Sequence, residues 1–190
     1  KYPSGGGDVL MGSVITRDEA LHLRIKLCHM RLGLGVGAND VESVLRSLPS
    51  LALRYQAHDA AARELARWCL SRSEFAQVLH PALPQSPGHA QWQALCRLGA
   101  GGAAGLFSVI FDARYTQAQV DAFCDALRLF KLGYSWGGPM SLVVPYEQAT
   151  LRKVWPAHLA NGRLVRFSVG LESVAELQAD LAQALAALSH

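Results

Sequence analysis

Long apolar runs are missing from this chain. No stretch approaches the roughly 20 apolar residues that a bilayer-crossing helix needs. The Ala- and Leu-rich C-terminus is broken by Glu172, Glu176, Gln178 and Asp180, so no membrane partner is expected. Dense Lys/Arg runs are missing too, and a net charge of +3 is too small to mark a nucleic-acid footprint. No signal-peptide pattern stands before Lys1, and a cytoplasmic location is expected. Cysteine is sparse. Cys28, Cys69, Cys96 and Cys124 include no Cys-x-x-Cys pair, and a chain of this size needs no disulfide staples, so reduced and mostly buried thiols are expected. Neither cysteine nor histidine spacing fits a zinc site, and no metal is expected.

What is present is a globular balance. Of 190 residues, 51% are apolar and 17% charged, enough for one substantial core or one and a half domains. Val9 to Thr16 reads as a strand bounded by glycines. Arg17-Asp18-Glu19 opens an amphipathic helix with Leu21, Ile25, Cys28 and Leu32 at helical spacing, ended by Gly33, Gly35 and Gly37. Asn39 or Asp40 is placed to cap a second helix. Its stripe (Val41, Val44, Leu45, Leu48) resumes beyond Pro49 with Leu51, Tyr55, Ala62, Leu65 and Cys69, so a kink or restart is expected at the proline.

Further along, Val78-Leu79 is a short apolar piece. The stretch 80–89 holds too many prolines for a helix or a central strand, and Gly99 to Gly102 is a break. Leu106–Phe111, Ser141–Pro145 and Leu164–Val169 read as strands. Thr116 caps a helix carrying Val120, Phe123, Cys124 and Leu127, and Val174 to Leu188 forms the last helix. This order predicts an α/β fold, a small sheet covered by helices on one face. Residues 1–47 read as the tail of another domain whose sheet is completed elsewhere.

Three places could carry chemistry. Lys1 precedes an aromatic and a glycine run, a setting that also suits a solvated terminal lysine. Arg166 lies in the apolar strand Leu164-Val165-Arg166-Phe167-Ser168-Val169. There it either faces solvent or needs a partner, because an unpaired buried charge is costly. Tyr134-Ser135-Trp136-Gly137-Gly138 is either a tight turn with a packed tryptophan or a loop whose glycines let backbone N–H groups approach a ligand. The spaced glycines Gly33, Gly35 and Gly37 follow a helix rather than a strand and do not form a nucleotide loop.

Lys1-Tyr2-x-x-Gly5-x-x-Asp8, followed by an apolar strand, resembles the cofactor-lysine segment of the trans-sulfuration (Cys/Met-metabolism) family of pyridoxal-phosphate (PLP) enzymes. The family segment reads roughly Ser-x-Thr-Lys-Tyr-x-x-Gly-His-Ser-Asp. Arg46-Ser47-Leu48-Pro49-Ser50-Leu51 with Arg54 and His58, the loop from His80 to Pro84, Gly88-His89, Trp92 and Gly105-Leu106-Phe107-Ser108 resemble later stretches of that family. So does Arg166-x-Ser-Val-Gly-x-Glu172. Tyr134-Ser135-Trp136-Gly137-Gly138 resembles the family's Ser-Leu-Gly-Gly loop, with the tryptophan typical of its cystathionine beta-lyase branch.

The resemblance implies the C-terminal part of an aspartate-aminotransferase-type fold. Residues 1–47 would be the tail of the large PLP domain, and residues 48–190 a small C-terminal domain with a long bridging helix. It implies that Lys1 holds PLP as a Schiff base and moves protons. Arg166 would bind the substrate carboxylate as a bidentate fork, with Tyr134, Ser135 and Trp136 also meeting substrate. His58, His80 and His89 are given structural roles.

The implied reaction is beta-elimination of cystathionine, or of a cysteine-like substrate, to homocysteine, pyruvate and ammonia in methionine biosynthesis, by a homotetramer. A gamma-synthase or gamma-lyase of the same family is the nearest variant. A non-enzymatic fragment is the other reading, because the remaining PLP contacts would lie before Lys1. Gly6-Gly7 and Pro139-Met140 depart from the family's His-Ser and x-Glu. The glycines are expected to loosen the backbone beside Lys1.

Overall fold

The computed structural model describes residues 1–96, 102–147, 151 and 153–189. The strands are β1 (Phe75–Leu79), β2 (Leu106–Asp112), β3 (Lys131–Leu132), β4 (Leu142–Tyr146) and β5 (Gly162–Ser168). They form one sheet in the order β1-β2-β5-β4-β3. Neighbours are antiparallel except β3 and β4, which run parallel. The helices are α1 (Glu19–Arg31), α2 (Ala38–Ser47), α3 (Leu51–Leu70), α4 (His89–Leu95), α5 (Gln117–Ala126) and α6 (Val174–Ala184). No helix among the described residues is long and apolar enough to cross a membrane.

Alternation along the strands sorts their side chains by face. Phe107, Val109 and Phe111 of β2, Val165 and Phe167 of β5 and Val143 of β4 join the core. They pack with Leu65 and Cys69 of α3, Phe123 of α5, and Leu177 and Leu181 of α6. Phe167 stacks on Phe107 at 5.0 Å between centroids and meets Phe130 edge-on at 5.2 Å. Burying one such ring contributes about 2–3 kcal/mol. The opposite face carries Ser108, Arg166 and Val144 side by side in register.

Local signals fix the ends of elements. Thr116 accepts from the Gln119 N–H at 3.3 Å while the Gln119 side chain accepts from the Thr116 N–H at 3.0 Å. This capping box starts α5 and stabilises it by about 1 kcal/mol. Asp180 of α6 accepts from the backbone N–H groups of Arg128, Leu129 and Phe130 at 2.8, 2.7 and 3.3 Å. It thereby satisfies the chain that leaves α5. The restart at Pro49 is observed. The α2 helix ends at Ser47, Leu48–Ser50 make a 3-10 turn, and α3 begins at Leu51.

Several expectations do not hold. Residues 9–16 are not a strand. Leu10, Val14 and Ile15 are 84%, 73% and 90% exposed, and no described strand pairs with them. Their β-propensity has no ladder to join. The cap of α2 is Gly37, which has no capping side chain, while Asn39 and Asp40 lie inside the first turn. The apolar stripe of α1 buries no residue. Only Cys69 and Cys124 of the four free cysteines are buried, and burial pushes the Cys69 thiol far up and the Cys124 thiol up to about 12. Apart from Gly102, the Gly99–Gly102 break lies outside the described residues.

Candidate active site

The lysine segment is folded back on itself and tied to the C-terminal sheet. The Lys1 carbonyl accepts from the Gly5 N–H at 2.9 Å and from the Ser4 hydroxyl at 3.0 Å. Arg54, from the first turn of α3, donates to the Tyr2 carbonyl at 2.7 Å, the Ser47 carbonyl at 2.9 Å and the Ser50 hydroxyl at 3.0 Å. One guanidinium thus joins the lysine segment to the start of the long helix.

Tyr2 makes a second tie. Its hydroxyl accepts from the Gly105 N–H at 2.9 Å, just before β2, and burial pushes its pKa up, keeping the phenol neutral. Its ring lies edge-on to Tyr55 and to His58, each at 5.4 Å. His58 is buried, with Nδ1 2.7 Å from the Val169 carbonyl just past β5. The residue before β2 and, through His58, the residue after β5 are therefore linked to the residue after Lys1.

The β3–β4 loop meets the same segment backbone to backbone. Gly137 holds φ +69°, and a Cβ there would lie 3.2 Å from the Tyr2 ring. A Cβ on Gly138 would come within 3.3 Å of the Gly6 carbonyl. Gly7 holds φ +75°, a conformation in which any side chain would be strained. The loop's far end is stitched to β5's exit. Glu172 accepts from the Ser141 N–H at 2.7 Å and its hydroxyl at 2.8 Å. The Ser141 hydroxyl in turn accepts from the Gly170 N–H at 2.8 Å.

These ties bring the candidate residues together. Lys1 Nζ donates to Ser135 Oγ at 2.8 Å and lies 5.4 Å from the centre of the Trp136 ring. The Arg166 guanidinium lies 5.7 Å from the same ring and donates from Nη2 to the Tyr134 carbonyl at 2.8 Å. Both groups therefore flank the Trp136 ring, although 165 positions separate Lys1 from Arg166. Tyr134 enters through its backbone, and its ring is 73% exposed. Beside these groups, Gly6, Gly7, Ser135, Trp136, Pro139 and Met140 line a pocket of about 140 Å³.

Arg166 Nε is buried and has no hydrogen-bond partner. The ion pairs seen among the described residues join Arg46 to Glu42 and Arg63 to Asp59, so no carboxylate of this set neutralises Arg166. A half-buried amine beside a hydroxyl, together with a cation holding a spare donor, fits the aldehyde end of PLP and an amino-acid carboxylate. His80 and His89, like His58, have backbone partners. His89 Nδ1 lies 2.8 Å from the Pro81 carbonyl, and His80 Nδ1 accepts from the Ala82 N–H at 3.2 Å. No local pattern in the sequence marks Tyr2 or Tyr146 as a site residue, because their partners lie 12 to 135 positions away along the chain.

The Cys/Met metabolism PLP-dependent enzyme family model matches residues 1–186, and the chain belongs to that family, whose cofactor is PLP. It is 39% identical over 188 residues to a cystathionine beta-lyase of Bordetella avium, covering 97% of this chain and 45% of that protein. It is 32% identical to a cystathionine beta-lyase of Salmonella typhimurium, covering 98% of this chain and 46% of that one. Cystathionine gamma synthase from Xanthomonas oryzae pv. oryzae, solved with aminoacrylate and cysteine, superposes with a TM-score of 0.82 at 30% identity. That match covers all of this chain and 48% of the solved one. The chain thus spans about half the length of the relatives it matches and has the α/β fold of part of a PLP enzyme of this type.

Proposed function

We infer that the whole protein is a PLP-dependent carbon–sulfur lyase that eliminates across the α and β carbons of cystathionine, giving homocysteine, pyruvate and ammonia. The observation that carries this reading is the placement of Lys1 and Arg166 around Trp136, with Ser135 Oγ bonded to the lysine amine. PLP, when bound, supplies an electron sink for the carbanion at the substrate's α carbon. Arg166 binds the α-carboxylate through the donors that Tyr134 does not use. Lys1 takes the α proton and delivers a proton to the leaving sulfur. Ser135 holds the amine in position between those transfers.

In this proposal residues 1–47 belong to the PLP-binding domain and residues 48–190 to the small domain. The hydrophobic core draws only on residues from Ala61 onward, and α1 buries nothing. A cytoplasmic homotetramer belongs to the same proposal.

The test is borohydride reduction of the PLP-loaded whole protein, mapping of the label, and product analysis with cystathionine. Label on Lys1 with pyruvate release is expected. Label on another lysine would remove Lys1 from the reaction. Trp136 and the Bordetella and Salmonella relatives favour the beta-lyase reading, while the Xanthomonas likeness favours gamma chemistry. Release of 2-oxobutyrate instead of pyruvate would decide for a gamma-lyase, and formation of cystathionine from cysteine and an O-acylated homoserine, with loss of the carboxylate, for a gamma-synthase.

A further inference from the structure

Arg166 stands on a middle strand of the sheet and takes part in neither ion pair seen among the described residues, so other groups hold its guanidinium. Trp136 supplies one aromatic surface at 5.7 Å. The second comes from Tyr146, at the end of β4, whose ring centre is also 5.7 Å from the guanidinium carbon. The register explains why. Val144 pairs with Arg166 and Tyr146 with Leu164, so Tyr146 is the diagonal neighbour of Arg166 on the same face, within reach of a long side chain. Tyr146 also meets the ring of Tyr134 edge-on at 6.3 Å, and the Tyr134 carbonyl accepts from Arg166. One tyrosine thus touches both the cation and the residue that orients it.

We propose that Tyr146 is a positioning and affinity-setting residue for carboxylate binding. With Trp136 it brackets Arg166 between two ring quadrupoles, which orient the guanidinium without neutralising it. A carboxylate partner would orient the cation more strongly, but it would compete with the incoming carboxylate for the same donors. Aromatic rings attract the cation through their faces and leave the in-plane N–H groups that the Tyr134 carbonyl does not take free for an anion. The proposal rests on the reading of Arg166 as the carboxylate site.

The test compares L-alanine with L-alaninamide as ligands of the PLP-loaded whole protein. Both present a primary α-amine and only the first carries a carboxylate, and their difference in amine basicity is the same for parent and variant. The ratio of their dissociation constants, measured by calorimetry, isolates the carboxylate contribution. Loss of one cation–π bracket in Tyr146→Leu is expected to lower the preference for L-alanine by about 5- to 20-fold. Tyr146→Phe, which keeps the ring, is expected to stay within about twofold of the parent. General loosening of the fold would weaken both ligands alike and leave the ratio unmoved. Tyr146→Met fills the site should the leucine variant fold poorly. A ratio unchanged in both Leu and Met variants, while Arg166→Gln abolishes it, overturns the role of Tyr146 alone. A ratio unchanged in Arg166→Gln overturns the carboxylate reading beneath it.

Discussion

Glu172 is where a single side chain joins the Ser135–Trp136 loop to the strand carrying Arg166. Its two oxygens accept from the Ser141 N–H and hydroxyl at 2.7 and 2.8 Å, and Ser141 is fully buried. Hydrogen bonds to a charged acceptor contribute about 1.5–3 kcal/mol each. Glu172 is only half-buried, so water can replace part of what Glu172→Ala removes. The Leu171-to-Pro139 backbone bond at 2.8 Å also remains. A net loss of about 2–4 kcal/mol follows, or a melting point lower by about 5–12 °C for a chain of this length. Glu172→Gln should cost only about 1 kcal/mol. Its amide oxygen still accepts from the Ser141 N–H, and its NH₂ can donate to the second lone pair of the Ser141 hydroxyl. Urea titration of parent, Gln and Ala proteins, with the m-value unchanged, reads the series directly. Equal midpoints for Ala and parent would refute the argument that this carboxylate pins the loop, and a Gln protein as weak as Ala would refute its geometric part.

Two further outcomes depend on neighbouring features. His80 is fully buried, and burial first, then nearby Arg63, lowers its pKa from 6.5 to about 4. The unfolded chain therefore binds the extra proton first. Stability is full above pH 6.5 and falls as pH drops toward 4, by at most about 3 kcal/mol from this group. The stability gap between parent and His80→Asn should shift by that amount between pH 7 and pH 4, and a pH-independent gap would refute the assignment. Gly137→Ala places a Cβ at φ +69° and 3.2 Å from the Tyr2 ring. Its cost should be about 1–2 kcal/mol of stability, with slower borohydride labelling of Lys1 as Tyr2 is displaced, and an unaltered melting point and labelling rate would refute it.

Which features could be read from sequence depended on how far apart the interacting groups lie. The Thr116 cap, the restart at Pro49 and the alternation that puts Arg166 opposite Val165 and Phe167 are set within a few residues, and each is readable. The strand expected at residues 9–16 carries the right side chains, but a strand exists only by pairing, and its pairing could not be read from its own composition. Likewise β3 is two residues long and is defined wholly by its ladder to Leu142 and Val143. Arg54 contacts carbonyls about 50 positions upstream, and Tyr146 reaches Arg166 across a strand pair. No local period signals either contact. Family resemblance located Lys1 and Arg166, but the residues holding them in place emerge only from the fold.

The sheet's asymmetry explains how a cation can stand on a middle strand. Helices α3, α5 and α6 all pack on the face of Phe107, Val143 and Phe167. Had a helix covered the other face as well, Arg166 would need an acidic partner to offset its desolvation, and that partner would occupy the donors a ligand needs. That other face, where Ile110 and Val144 are buried, instead receives the Tyr134–Gly138 loop, whose contribution is a carbonyl, a hydroxyl and an indole ring rather than a charge. The same loop meets the lysine segment through Gly137 and Gly138, so any shift of the loop moves the surroundings of Lys1 and Arg166 together. Spacing between amine and guanidinium is thus set by one short loop, clamped at its near end by Tyr2 and at its far end by Glu172. Perturbing either clamp should therefore change how well a ligand spans both cations before it changes the strength of contact with either one.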